Sequence, residues 1–435
     1  MAIQRLEIHG YRSFEHAVWE PGKLNLLVGP NASGKSNLLR LLQLISDTAT
    51  GKLFQAINDA QGMASLLWND EARQLGWRLD LGSSAPSKSS KGQGGSCTRY
   101  EFFLRPSLGS GYRIAVDSLG RVTYSDGVAT PTSPFGYRRD SDKVTAGVHG
   151  KKSTLKIADL DANESLLPQI RKGGLPLLVS LTKRELETWD VHQDVQFLGN
   201  CPIRMPVITQ CANSIVADGS NLTAVLHTLY TNDRRFREEI DEGMRAAFGE
   251  EYVEVVFQPS SAQRIQLAVQ WKSSRQPHAG QMLSDGTLRF LFLLAVLANP
   301  HGGRLIAIDE PEVGLHPTML PIVAEYAVAA AERTQVVIST HSPEFLDCFT
   351  EYEPRVAVFH WEDARTHLYT LPDGRLKKWL EMYRLGQLFT SGDLDALAQP
   401  EVERLPDMEE RFRDLPSEDA MMPGEGPGRE GPPRE

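Results

Sequence analysis

The chain has 435 residues, 41% hydrophobic and 23% charged, the balance of a folded globular protein with room for two or three lobes. A formal charge of −10 argues against a uniformly basic protein that coats nucleic acid, and no run approaches the ~18–20 apolar residues of a membrane span. Cys97, Cys201, Cys211 and Cys348 form no C-x-x-C pair and no metal-ligand spacing with the histidines, so reduced thiols are expected. The start Met1 to Arg5 passes straight into a strand pattern without a signal peptide, which makes the cytoplasm the expected compartment and leaves no membrane partner.

The first strong element is the apolar run Leu24 to Val28, followed by Gly29-Pro30-Asn31-Ala32-Ser33-Gly34-Lys35-Ser36-Asn37 and a helical stripe of Leu38, Leu41, Leu42 and Ile45. G-x-x-x-x-G-K-S between a strand and a helix is the Walker A phosphate loop. Its glycines let backbone N–H groups turn inward around a phosphate chain, and the helix adds the positive end of its dipole. Lys35 is expected at the β- and γ-phosphates and Ser36 on Mg²⁺, which makes ATP with Mg²⁺ the expected cofactor.

Alternation in Trp77 to Leu81 and Tyr112 to Val116, with the run Arg121 to Tyr124, predicts an antiparallel sheet beside this nucleotide core. Gly82 to Ser96 is Ser/Gly/Lys-rich and reads as a loop. Residues 131–215 alternate turn-rich pieces with helical stripes at Leu166 to Ile170 and Leu181 to Trp189, and predict a small inserted helical lobe. Helices are expected after Asp218-Gly219-Ser220-Asn221 and over Phe236 to Phe248, then a strand over Ile265 to Trp271.

Leu283-Ser284-Asp285-Gly286-Thr287 opens the almost wholly apolar stretch Leu288 to Leu297, a buried helix whose N-terminus offers a hydroxyl and unpaired N–H groups, a second anion site. Leu305 to Ile308 reads as a strand buried on both faces and ends in Asp309-Glu310, a Walker B pair: an aspartate for the Mg²⁺ shell and a glutamate to take the proton of the attacking water. Val336 to Ile338 ends in Ser339-Thr340-His341. Phosphate loop, acidic pair and histidine thus each follow the carboxyl end of an expected strand, the edge where open α/β sheets bind ligands. The last stretch, 401–435, carries eleven Asp or Glu against five Arg in a Pro/Gly-rich string and is expected to be a disordered acidic tail.

The order of these motifs resembles the ABC-type ATPases. The opening Leu6-Glu7-Ile8-His9-Gly10-Tyr11-Arg12-Ser13-Phe14 and the stretch Ile308-Asp309-Glu310-Pro311-Glu312-Val313-Gly314-Leu315-His316-Pro317 narrow the likeness to the RecF/SMC/OLD-like branch, as a short ATPase of the AAA_21 type. The resemblance implies an α/β P-loop NTPase of ABC-ATPase type: a mostly parallel sheet flanked by helices, an antiparallel β subdomain and the inserted lobe. The head would be split between 1–130 and 216–400 around the lobe at 131–215. It further implies that two heads sandwich two nucleotides as a homodimer. Ser284 and Gly286 would then reach the γ-phosphate held by the other head, Glu310 would be the base, His341 would touch the γ-phosphate, and Arg12 would lie near the phosphates. Gln169 is the candidate for the family's Q-loop glutamine. Asp285 stands where transporter ATPases usually carry Gly, which speaks against a transporter, and no sustained heptad supplies an SMC arm. DNA repair or genome and phage defence is the implied setting, with DNA as a partner; the alternative is an ATP-gated regulatory subunit for a separately encoded effector such as a nuclease.

Overall fold

A computed structural model describes residues 1–69, 72–82, 96–107, 111–125, 128–131, 136–140, 143–148, 151–155, 160–169, 177–260, 263–371 and 373–394. The acidic tail expected at 401–435, and 83–95 of the expected loop, lie outside the described residues.

Strand β1 (Ala2–Tyr11) and β2 (Phe14–Trp19) form a hairpin, and β3 (Leu24–Val28) follows as a strand buried along its whole length. β3 enters a six-stranded sheet in the order Trp189–His192, Leu305–Asp309, Gln335–Thr340, β3, Arg355–Glu362, Arg365–Thr370. The first five run parallel and the last turns back as an antiparallel hairpin. Strands with cores on both faces have no polar side to alternate, which is why these segments read as unbroken apolar runs. Their side chains still divide by pleat. Leu26, Val28, Ile306, Ile308, Val336 and Ile338 join one core; Leu27, Ala307, Val337 and Ala357 join the other.

Helix α1 (Lys35–Thr50) belongs to the second core, where Leu38, Leu41, Leu42 and Ile45 meet Leu6, Ile8, Trp77, Tyr100 and Phe102 of a nine-stranded antiparallel sheet. It stops at Gly51, whose φ of 75° lets its N–H reach back to Asp47 O. On the opposite face lies the signature helix, Asp285–Ala298, buried from Leu288 onward except at Arg289. Each buried Leu or Phe contributes roughly 1.5–3 kcal/mol. Packing, more than helix propensity, therefore places this element.

The chain departs from expectation between residues 131 and 215. Strands Tyr137–Asp140, Lys143–Val148 and Lys151–Leu155 extend the antiparallel sheet in consecutive hairpins. The stripe read as a helix over Leu181 to Trp189 is split: the helix is Leu177–Glu187, and Trp189 opens the edge strand of the parallel sheet. Met1–Ala398 forms one compact unit. Free strand edges continue to recruit neighbours, and the unpaired backbone of Tyr112–Ser125 did so here.

Candidate nucleotide site

The phosphate loop takes the backbone that anion binding asks for. Gly29, Ala32 and Gly34 stand at φ 151°, 63° and 105°, the positive-φ backbone from which anion-binding loops are built. No larger residue fits at the two glycines. A Cβ on Gly29 would strike Phe359 O, and one on Gly34 would strike Thr366 Oγ1 and Ser13 Oγ. Lys35 is buried, and its Nζ donates to Gly29 O at 2.7 Å and Pro30 O at 2.9 Å. Burial lowers its pKa, opposed by the charges of Glu310, Asp309 and Glu312. Those carboxylates therefore share the lysine's surroundings. Ser33 Oγ is buried with no hydrogen-bond partner among the described residues, an unmet need that a phosphate oxygen would answer. Asn31 is exposed, Ser36 opens α1, and Asn37 Nδ2 donates to Ser13 Oγ at 2.9 Å, tying the helix to the β1–β2 turn.

Asp309 ends its strand one register step from the phosphate-loop edge, and its Oδ1 accepts from Ser339 Oγ. Glu310 holds φ 45°, rare for a non-glycine residue, and its N–H is fixed by Ser339 O and Ser339 Oγ, each at 3.1 Å. Its Oε1 lies 2.9 Å from His341 Nδ1. Glu312 comes with them: its Oε1 accepts from Thr340 Oγ1 at 2.5 Å, while Oε2 is buried without a partner among the described residues. Burial pushes its carboxyl above the ordinary range.

Ser284 caps the signature helix, accepting from Thr287 N at 3.1 Å. The loop before it is organised by Arg204, which reading the sequence alone did not single out. Arg204 is buried and donates to Phe197 O at 2.6 Å, Gly280 O at 2.9 Å and Leu283 O at 2.7 Å, and it pairs with Asp285. The departure from Gly at position 285 thus has a partner. Gly286 passes so close to the next turn that a Cβ would lie 2.8 Å from Gly314 O. No hydrogen bond or ion pair joins Ser284 or Gly286 to the phosphate loop among the described residues.

Arg12 sits in the β1–β2 turn at φ 48°. With Tyr11, Arg40, Gln43, Asp47 and Gln193 it lines a cavity of about 410 Å³, and its Nε is buried without a partner among the described residues. Gln169 is placed elsewhere. It closes its own turn, bonding Asp161, Glu164 and Ser165 carbonyls. Gln193 has the position that Gln169 lacks: it follows the strand beside Leu305–Asp309, at the edge that carries the acidic pair, and its Oε1 is buried without a partner among the described residues. Only its short strand of four residues announced it, and the preceding helical stripe masked that signal.

Two family models match. Residues 215–347 match AAA_21, described as "AAA domain, putative AbiEii toxin, Type IV TA system", and residues 1–75 match AAA_15, the AAA ATPase domain. Together the two matches cover the segment that carries the phosphate loop and the segment that carries the acidic pair and His341, and both are similar to AAA-type ATPase domains. No curated protein matches this chain. Among solved structures it is similar to an SMC head bound to the C-winged helix domain of ScpA, at 12% identity and TM-score 0.46, covering 87% of this chain and 100% of that one. It is also similar to the SMC head domain from Thermotoga maritima, at 12% identity and TM-score 0.40, covering 86% and 100%. A third is an Smc head domain with an extended coiled coil bound to the C-terminal domain of ScpA, derived from Pyrococcus furiosus, at 12% identity and TM-score 0.45, covering 87% and 98%. No helix among the described residues is long and apolar enough to cross a membrane.

Proposed function

We propose that this ATPase binds Mg²⁺ and ATP at the Walker A loop, hydrolyses the γ-phosphate with Glu310 as general base, and closes into a head-to-head homodimer on ATP. The observation that carries the reading is the convergence of Lys35, the acidic pair and His341 at one sheet edge, with Glu310 Oε1 2.9 Å from His341 Nδ1. Bound Mg²⁺, held by Ser36 and Asp309, would neutralise charge on the phosphates. Lys35 would move from the carbonyls it now satisfies to the β- and γ-oxygens, and the N–H groups of Gly29 to Ser36 would cradle the chain. Glu310 would take the proton of the attacking water, and His341 would orient that carboxylate.

Dimerisation is inferred from Ser284. Its helix packs on one face of the parallel sheet while α1 packs on the other, so a second head is the natural source of a signature serine for the phosphate held here. For the setting we propose genome or phage defence, in keeping with the AAA_21 description, with the closed dimer acting on DNA. The net charge of −10 favours a second reading, control of a separately encoded effector without DNA. Sedimentation with ATP, ADP and no nucleotide tests the core of the proposal: wild type should dimerise with ATP alone, and Ser284→Arg should stay monomeric throughout. A dimer in that variant would refute the trans arrangement. DNA binding to the ATP-bound form that weakens steeply with salt would favour the first setting, and its absence the second.

A further inference from the structure

On the outer face of the antiparallel sheet, away from the nucleotide site, Glu7 and His9 stand two residues apart on β1 and so share a face. His16 of β2 lies directly opposite His9 in register. Three potential ligand atoms converge there: His9 Nε2 is 3.2 Å and His16 Nε2 is 3.4 Å from Glu7 Oε1, and all three lie within 4.8 Å of one another. Ligands about 2.1 Å from a tetrahedral zinc ion stand about 3.4 Å apart, close to the two separations from Glu7 Oε1. The surroundings fit as well. Gly76 faces His9 from the next strand, leaving room that the Phe103 ring fills, with ring centroids of His9 and Phe103 5.5 Å apart. Arg78 approaches Glu7 Oε1 at 3.3 Å but also pairs with Glu101 at 3.2 Å, so two carboxylates face one guanidinium and the local balance stays negative.

We propose that Glu7, His9 and His16 form a binding site for a divalent transition-metal ion of the zinc class. Two imidazoles and one carboxylate select such an ion over Mg²⁺ or Ca²⁺, which prefer all-oxygen shells. Each neutral imidazole would present the Nε2 lone pair to the metal and carry its proton on Nδ1. His16, whose side chain is 20% exposed, leaves the fourth position to water. Bound there, the ion would clamp the β1–β2 hairpin, whose turn carries Arg12 and the Ser13 that Asn37 holds.

The test uses the full chain, stripped with a chelator and titrated with Zn²⁺ by calorimetry, with metal content measured after gel filtration and Co²⁺ absorption as a reporter of tetrahedral geometry. One tight site per chain is expected. Removing a residue that merely hydrogen-bonds a metal ligand already weakens metal binding about 10- to 100-fold, so loss of a ligand in Glu7→Gln or His16→Ala should weaken it at least about 100-fold. Both variants should unfold at temperatures close to the metal-free wild type, and Zn²⁺ should raise the midpoint of the wild type alone. Lys35→Ala and Cys211→Ser should bind Zn²⁺ as wild type does, separating this site from the nucleotide loop and from the exposed thiol. Wild type that holds no more Zn²⁺ than the two ligand variants, or variants that keep the tight site, would overturn the proposal and leave Glu7 as a hydrogen-bond hub for two histidines and Arg78.

Discussion

Glu310 Oε1 lies 2.9 Å from His341 Nδ1, across two adjacent parallel strands. An ionised carboxylate can only accept, so Nδ1 carries the proton of this pair and the histidine fixes the direction of the carboxylate. Ser339, two residues before His341, holds the backbone of Glu310 in its left-handed conformation from the other side. A short segment of one strand therefore orients the group that ends its neighbour.

Glu310→Gln keeps size and hydrogen bonding but cannot accept the proton of water. ATP and Mg²⁺ should bind normally, single-turnover hydrolysis should fall by roughly 10²- to 10⁴-fold, and the ATP-bound dimer should accumulate. Asp309→Asn should instead raise the Mg²⁺ requirement as well as lower the rate, because it weakens the metal shell. Wild-type turnover in Glu310→Gln would place the base elsewhere.

Loss of Lys35 should act on binding. Lys35→Ala removes the buried cation of the loop, and calorimetry should show ATP affinity reduced below detection in a folded protein. Gly34→Ala should give the same loss by another route, since its φ of 105° and its contact with Thr366 leave no space for a methyl group. Strain of this kind costs about 1–3 kcal/mol, so the thermal midpoint should also drop.

Arg204 offers a test of the signature loop apart from the nucleotide. Arg204→Met leaves three buried carbonyls without their donor, at about 1–3 kcal/mol for each acceptor left unsatisfied, and removes the partner of the half-exposed Asp285. ATP-driven dimerisation should weaken with it while nucleotide binding to the phosphate loop is retained. Asp285→Ala should be milder, because Asp285 is 49% exposed and the backbone bonds of Arg204 survive. Equal effects of the two substitutions on thermal stability would show that the ion pair, not the carbonyl network, holds the loop.

A pH signature is expected from the antiparallel sheet. Asp117 is buried beside Tyr137 and Leu166, accepting from Tyr137 Oη at 2.8 Å and Leu166 N at 2.7 Å, and burial raises its pKa from 3.8 to about 6. A carboxyl whose folded pKa is raised contributes stability that is fully present below pH 3.8 and is lost as pH rises through about 6. A rise of this size corresponds to about 3 kcal/mol. Asp117→Asn should therefore gain stability relative to wild type between pH 4 and pH 8 in denaturant titrations, and a constant difference across that range would contradict the assignment.

The sequence by itself determined the nucleotide loop, the acidic pair, the strand order of motifs and the buried character of the signature helix. These features are local: the conformation of a Gly-rich turn, a capped helix or a fully apolar strand is set by residues within a few positions of one another. Tertiary structure alone decided what meets across long separations. Arg204 finds Asp285, His341 finds Glu310, and Gln193 rather than Gln169 follows the strand beside the acidic pair, because strand pairing and helix packing bring together residues whose spacing in the chain carries no signal. Tyr137–Asp140, Lys143–Val148 and Lys151–Leu155 look turn-rich and polar in the sequence, yet they extend a sheet, since an open edge pairs through backbone groups that every residue possesses.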